Sequence, residues 1–185
     1  YVVNTKEKEL YYQSVENGST ERGVYAVKIN GKGKRLIQVA KGTNGASFSA
    51  NGDYYIHSFS DEYTPPKFSL YKTKKNRLLG TFLDNEKLKN QIEEFQFNNR
   101  EFSTVAINGE QLNMWMIKPK DFDPSRKYPL LLFQYSGPGS QQVSNRWGDE
   151  DLIWHKNLAN QGYIIACLDG RGTGFKGAKF KNCLL

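Results

Sequence analysis

The pattern of apolar and polar positions changes character twice along the chain. Over the first 83 residues, short stretches alternate apolar and polar positions, which predicts half-buried strands. Asn-Gly, Gly-Lys-Gly and Lys-Lys-Asn turns separate them. The stretches also recur. Leu10-Tyr11-Tyr12-Gln13-Ser14 returns as Asp53-Tyr54-Tyr55-Ile56-His57-Ser58, and Val24-Tyr25-Ala26-Val27-Lys28 as Ser69-Leu70-Tyr71-Lys72-Thr73. Arg35-Leu36-Ile37-Gln38-Val39 returns as Arg77-Leu78-Leu79-Gly80-Thr81. An offset of about 42 to 46 residues between short-strand units is the period of a propeller blade. Asn51-Gly52 supplies the hairpin turn at the entrance of the second unit. An unrelated antiparallel meander fits the same strands.

Residues 85–95 break the alternation. Leu88, Ile92 and Phe95 stand at helical spacing in a charged background, which predicts a short connecting helix. Residues 101–107 and 111–118 then read as a hairpin around Asn108-Gly109. A loop with Asp121, Asp123 and Pro124 as turn formers follows. From Tyr128 the pattern becomes continuously apolar, as in a strand buried on both faces. That strand is expected to end on Tyr135, before Gly137-Pro138-Gly139. Residues 149–161, opening on Asp149, predict a helix with Gly162 as its stop. A second apolar strand over 163–168 runs into Asp169-Gly170-Arg171-Gly172-Thr173-Gly174. Two apolar strands flanking a helix, each ending in a glycine-rich loop, describe a parallel α/β unit, and sites form at the carboxyl ends of such strands.

Composition changes this picture little. The chain has 185 residues and 14% aromatic content, with 11 Tyr and 11 Phe, which favours strands. It begins on Tyr1 rather than Met, so it reads as an internal segment. The net charge of +7 raises an anionic partner such as nucleic acid. The cations are scattered over turns (Lys32, Lys34, Arg35, Lys72, Lys74, Lys75, Arg77), so solvated turns are the preferred reading and no nucleic acid is expected. Cys167 lies within an apolar strand and is expected to pack as a small hydrophobe. Cys167 and Cys183 make neither a disulfide framework nor a metal site.

The candidate chemistry centres on Tyr135. Acyl transfer needs hydrogen-bond donors aimed at a tetrahedral oxyanion, and a phenol at an early strand end can be one of them. The alternative is a tyrosine packed at the core edge. Gly172-Thr173-Gly174-Phe175-Lys176-Gly177 matches G-x-G-x-x-G, but Asp169 and Arg171 make it unlike a pyrophosphate cradle. A loop that organises the floor of a site is the better reading. No G-x-S-x-G elbow occurs. The two histidines, His57 and His155, lie near no nucleophile motif and are not expected to act as bases. Glu93-Glu94 reads as a solvated pair. Asn17-Gly18-Ser19 is a glycosylation sequon, meaningful in a eukaryotic secretory setting.

Taken in order, the propeller-like repeat, the connector, Phe122-Asp123-Pro124-Ser125-Arg126-Lys127-Tyr128-Pro129-Leu130-Leu131-Leu132, Tyr135-Ser136-Gly137-Pro138, Trp154, and Asp169 through Gly177 resemble the dipeptidyl peptidase IV enzymes. These belong to the prolyl oligopeptidase family of serine peptidases. The resemblance covers nearly the whole chain and is most specific over residues 127–177. It implies C-terminal blades of a β-propeller over residues 1–92 and the N-terminal portion of an α/β-hydrolase domain over residues 93–185. It implies a parent exopeptidase that releases N-terminal Xaa-Pro or Xaa-Ala dipeptides through an acyl-enzyme, without cofactor or metal. Tyr135 matches the family's oxyanion-hole tyrosine. The nucleophile, base and orienting acid lie downstream in the family, so this segment alone is expected to be inactive. Glu93-Glu94 is not the family's pair that grips the substrate amino terminus. Peptides with Pro or Ala second, and a homodimer of the full-length parent, are the implied partners. A periplasmic, secreted or membrane-anchored location is implied as well. The ending Lys181-Asn182-Cys183-Leu184-Leu185 departs from the family pattern, which continues into a helix. The alternatives are a non-catalytic propeller-containing binding module and a related oligopeptidase or acylaminoacyl peptidase.

Overall fold

A computed structural model describes residues 2–38, 41–148 and 151–183. The chain forms two compact units, Tyr1–Lys89 with Asn145–Trp147, and Asn90–Ser144 with Gly148–Leu185.

The first unit holds two four-stranded antiparallel sheets of propeller type. Strands β1 (Val2–Asn4), β2 (Glu9–Ser14), β3 (Gly23–Lys28) and β4 (Arg35–Gln38) lie side by side in chain order. Strands β5 (Thr43–Phe48), β6 (Tyr54–Ser60), β7 (Lys67–Lys72) and β8 (Arg77–Leu83) repeat that order. The sequence repeat is therefore a repeat of whole sheets, as expected. The two copies differ by one residue in phase. β2 buries the first tyrosine of its pair, Tyr11, whereas β6 buries the second, Tyr55, and exposes Tyr54. A one-residue slip moves a side chain to the opposite face. The two buried rings converge on Phe48, with centroids 4.9 and 5.1 Å away. Tyr11, Val24, Ala26, Ile37, Ala46 and Tyr55 form the core of this unit. Val39, the last residue of the repeated stretch that begins at Arg35, lies outside the described residues.

Asn145, far along the chain, belongs to this unit. Its backbone N–H donates to Thr20 O (2.8 Å) and its carbonyl accepts from Thr43 Oγ1 (2.9 Å). Its Oδ1 accepts from the Glu62 N–H (3.1 Å), and its Nδ2 donates to Glu21 Oε1 (3.1 Å). Helix α1 (Glu86–Glu94) is the expected connector.

The second unit holds β9 (Glu101–Ile107), β10 (Glu110–Ile117), β11 (Leu130–Phe133) and β12 (Ile164–Leu168), in the spatial order β11-β12-β10-β9. β9 and β10 pair antiparallel around Asn108 and Gly109, whose φ values of 50° and 81° suit a two-residue type I′ turn. β11 and β12 are parallel, and α2 (Leu152–Asn160) crosses between them. Asp149, the expected start of this helix, lies outside the described residues. Gly162 follows α2 at φ 94°, the left-handed conformation that stops a helix. Trp115, Ile117, Val143, Leu152, Ala159, Ile165 and Cys167 form the core. Cys167 is a buried free thiol, as expected of a small hydrophobe.

Two expectations need correction. β11 is not buried on both faces. Leu131 and Phe133 pack against the core, but Leu130 and Leu132 are 60% and 55% exposed. β11 is an edge strand, and its second face has no cover among the described residues. Nor does the strand reach Tyr135: pairing ends at Phe133, opposite Cys167. The described residues of this unit make one mixed sheet, one crossover helix and the single turn α3 (Ala178–Lys181). Of the unusual ending, Lys181 closes α3, and Leu184 and Leu185 lie outside the described residues.

Candidate functional site

At the carboxyl ends of the parallel pair, two glycine-rich loops are stitched into one platform. The Gly139 N–H donates to Gly172 O (2.9 Å), and the Gly174 N–H donates to Ser140 O (2.8 Å). This approach requires glycine, because a Cβ on Gly174 would stand 2.7 Å from Gly139 O. The Gly170 N–H reaches Ser136 Oγ (3.3 Å), which also accepts from Gln134 Nε2 (2.7 Å). Thr173 is buried and donates through Oγ1 to Gly170 O (2.8 Å).

Tyr135 stands on this platform, two residues past β11, and is 61% exposed. It is not a packed core-edge residue. Its ring lies over Gly137, where a Cβ would meet Cζ and Oη at 3.0 Å. Its carbonyl accepts from Ser140 Oγ (3.3 Å), which also bonds Gly137 O (2.6 Å). A phenolic O–H on a braced loop is a donor that needs little reorganisation to meet a developing negative charge.

Beneath the loops lies Asp169, 1% exposed, at the end of β12. Its Oδ1 accepts the Gln142 N–H (2.8 Å) and its Oδ2 the Val143 N–H (3.1 Å). Its own N–H donates to Asn113 O (3.0 Å). Burial pushes its carboxyl above the usual carboxylate range, against the opposing pull of the two N–H bonds and of the Lys176 charge. Sequence reasoning assigned Asp169 to a floor loop but missed this role. The available signal was an acid directly between a buried strand and a Gly-x-Gly loop, where only a specific partner makes a buried carboxylate tolerable.

The remaining candidates are each buried, solvated or already engaged. His57, on β6, is buried with Nε2 3.0 Å from Asn44 Oδ1, and burial lowers its pKa to about 4. His155, on α2, is buried among the rings of Trp115, Phe133 and Trp154. Neither offers an accessible imidazole. Glu93 and Glu94 are exposed on α1. The Gly172 N–H is taken by Phe180 O (3.1 Å) and the Gly174 N–H by Ser140, so these glycine amides do not form a phosphate cradle. No group of three or more His, Cys, Asp or Glu that could hold a metal ion occurs among the described residues.

A family model described as the dipeptidyl peptidase IV (DPP IV) N-terminal region matches residues 1–66. The chain is 35% identical over 182 residues to a probable dipeptidyl-aminopeptidase B of Phaeosphaeria nodorum, covering 97% of this chain and 20% of that protein. It is 35% identical over 189 residues to dipeptidyl peptidase 4 of Trichophyton rubrum, covering 98% of this chain and 24% of that protein. The crystal structure of Porphyromonas gingivalis dipeptidyl peptidase 4 aligns with a TM-score of 0.88 and 41% identity, over 95% of this chain and 24% of that one. The paired four-stranded antiparallel sheets fit a region of propeller type. The chain is similar to a segment of these dipeptidyl peptidases and spans between 20% and 24% of the length of these relatives.

Proposed function

We propose that the chain is the segment of a serine-type dipeptidyl peptidase that joins the last propeller blades, residues 1–92, to the start of an α/β-hydrolase domain, residues 93–185. In the whole enzyme the phenolic O–H of Tyr135 donates a hydrogen bond to the oxyanion of each tetrahedral intermediate. The backbone N–H after the nucleophile is the second donor. The observation that carries this reading is an exposed phenol at the carboxyl end of a parallel strand, on a loop braced by a second glycine-rich loop. The parallel pair with its crossover helix and the similarity to named dipeptidyl peptidases support the same reading. The substrates are peptides with Pro or Ala second, taken through an acyl-enzyme, and the full-length parent forms a homodimer.

The test is a substrate profile of the full-length parent. Release of Gly-Pro and Gly-Ala from chromogenic dipeptide substrates, with a burst of acyl-enzyme, is the expected result. Preferential cleavage of N-acylated amino acids or of internal bonds would reassign the parent to a related oligopeptidase or acylaminoacyl peptidase. Absence of any hydrolysis would favour a binding module.

A further inference from the structure

We propose that Asp169 is a positioning residue for Tyr135, a role that rests on the oxyanion reading above. The segment 134–143 has no regular hydrogen-bond ladder of its own. Its conformation is set by what it is tied to. One end is fixed by the pairing of Phe133 with Cys167. The middle is tied to residues 170–174 through Ser136, Gly139 and Ser140. The far end is tied by Asp169, whose two carboxylate oxygens accept the consecutive N–H groups of Gln142 and Val143.

The chemistry of that last tie is specific. Two successive N–H groups need two acceptors, and a carboxylate supplies both from one side chain. Asparagine supplies one, and turns an NH2 toward the other N–H. Burying a carboxylate is costly unless it is hydrogen-bonded, and an unpaired buried N–H is costly too. Asp169 and the end of the loop therefore depend on each other, and neither keeps its position without the other. Val143 is fully buried in the core beside this contact, so the far end of the loop is a fixed point. Tyr135, by contrast, is exposed and rests on Gly137, and its carbonyl is held by Ser140. The direction of the phenol follows from the two ends of the loop. Displacement of a catalytic group by about 1 Å can cost as much as 10² in rate.

The experiment is a double-mutant cycle in the full-length parent, with Asp169→Asn, Tyr135→Phe and the pair, read as kcat and KM separately. Asp169→Asn should lower kcat roughly ten- to a hundredfold, the scale expected for a displaced catalytic group, with KM little changed. In the Tyr135→Phe background the same substitution should change kcat by less than about twofold, because the group it positions is already gone. An equal loss in both backgrounds, or no loss in the wild-type background, overturns the role of Asp169 and leaves the oxyanion reading standing. No loss in Tyr135→Phe alone overturns the oxyanion reading, and this inference with it. Where Asp169→Asn does not fold, Gln142→Pro deletes one of the two N–H donors and keeps the carboxylate. The same pattern of loss and non-additivity is required of it, and its absence overturns the proposal equally.

Discussion

At the scale of single residues, burial and hydrogen bonding separate the candidates that the sequence leaves level. Tyr135 is equally consistent on spacing with a packed ring and with an exposed donor. The structure gives it an open face and a braced backbone. His57 shows the opposite outcome, a polar side chain absorbed into a core. Its folded-state pKa of about 4 lies below the ordinary 6.5, so folding favours the neutral ring. The stability this supplies is complete above pH 6.5 and is lost as pH falls from 6.5 toward 4, a change on the order of 3 kcal/mol. The denaturant midpoint of the parent's propeller should therefore drop between pH 7 and pH 5 by more in the wild type than in His57→Asn, which cannot take up a proton there. Equal drops would show that His57 does not govern acid stability.

At the scale of elements, the strands of the repeat are legible because alternation reports a half-buried sheet directly. The hairpin around Asn108-Gly109 is legible because those two residues adopt positive φ most easily. The burial of β11 is not legible. A run of leucines looks the same whether both faces are covered or one stands open, as at Leu130 and Leu132. The end of that strand is equally hidden, since Gln134 and Tyr135 have strand-compatible side chains and only the absence of pairing beyond Phe133 marks the boundary. The platform depends on contacts between residues more than 25 positions apart, such as Gln142 with Asp169, which no local pattern encodes. Its tightest point is Gly174 against Gly139 O. Because the neighbour is backbone, it cannot move aside cheaply, and Gly174→Ala should destabilise the second unit by about 1 to 3 kcal/mol. Hydrogen exchange of residues 134–143 and 169–177 reads this loss, and unchanged protection would contradict the stitched-loop description.

At the scale of the whole molecule, several apolar side chains stand open along strands. β8 exposes Leu78, Leu79, Phe82 and Leu83, and β11 exposes Leu130 and Leu132. Open strand edges with apolar faces are templates for association. The 185-residue chain, prepared alone, should therefore self-associate, as light scattering after size exclusion would report. A monomer with a sharp, reversible unfolding transition would contradict this. Asn145 is not legible in the sequence, since its partners Thr20, Glu21, Thr43 and Glu62 all stand at least 83 positions before it.

The central claim is that this segment carries an oxyanion donor, and the acylation rate of the full-length parent tests it most directly. Single-turnover kinetics with a Gly-Pro chromogenic substrate should show Tyr135→Phe slowing acylation by about 10² to 10³, with substrate affinity nearly unchanged. An acylation rate equal to that of the wild type would contradict the account.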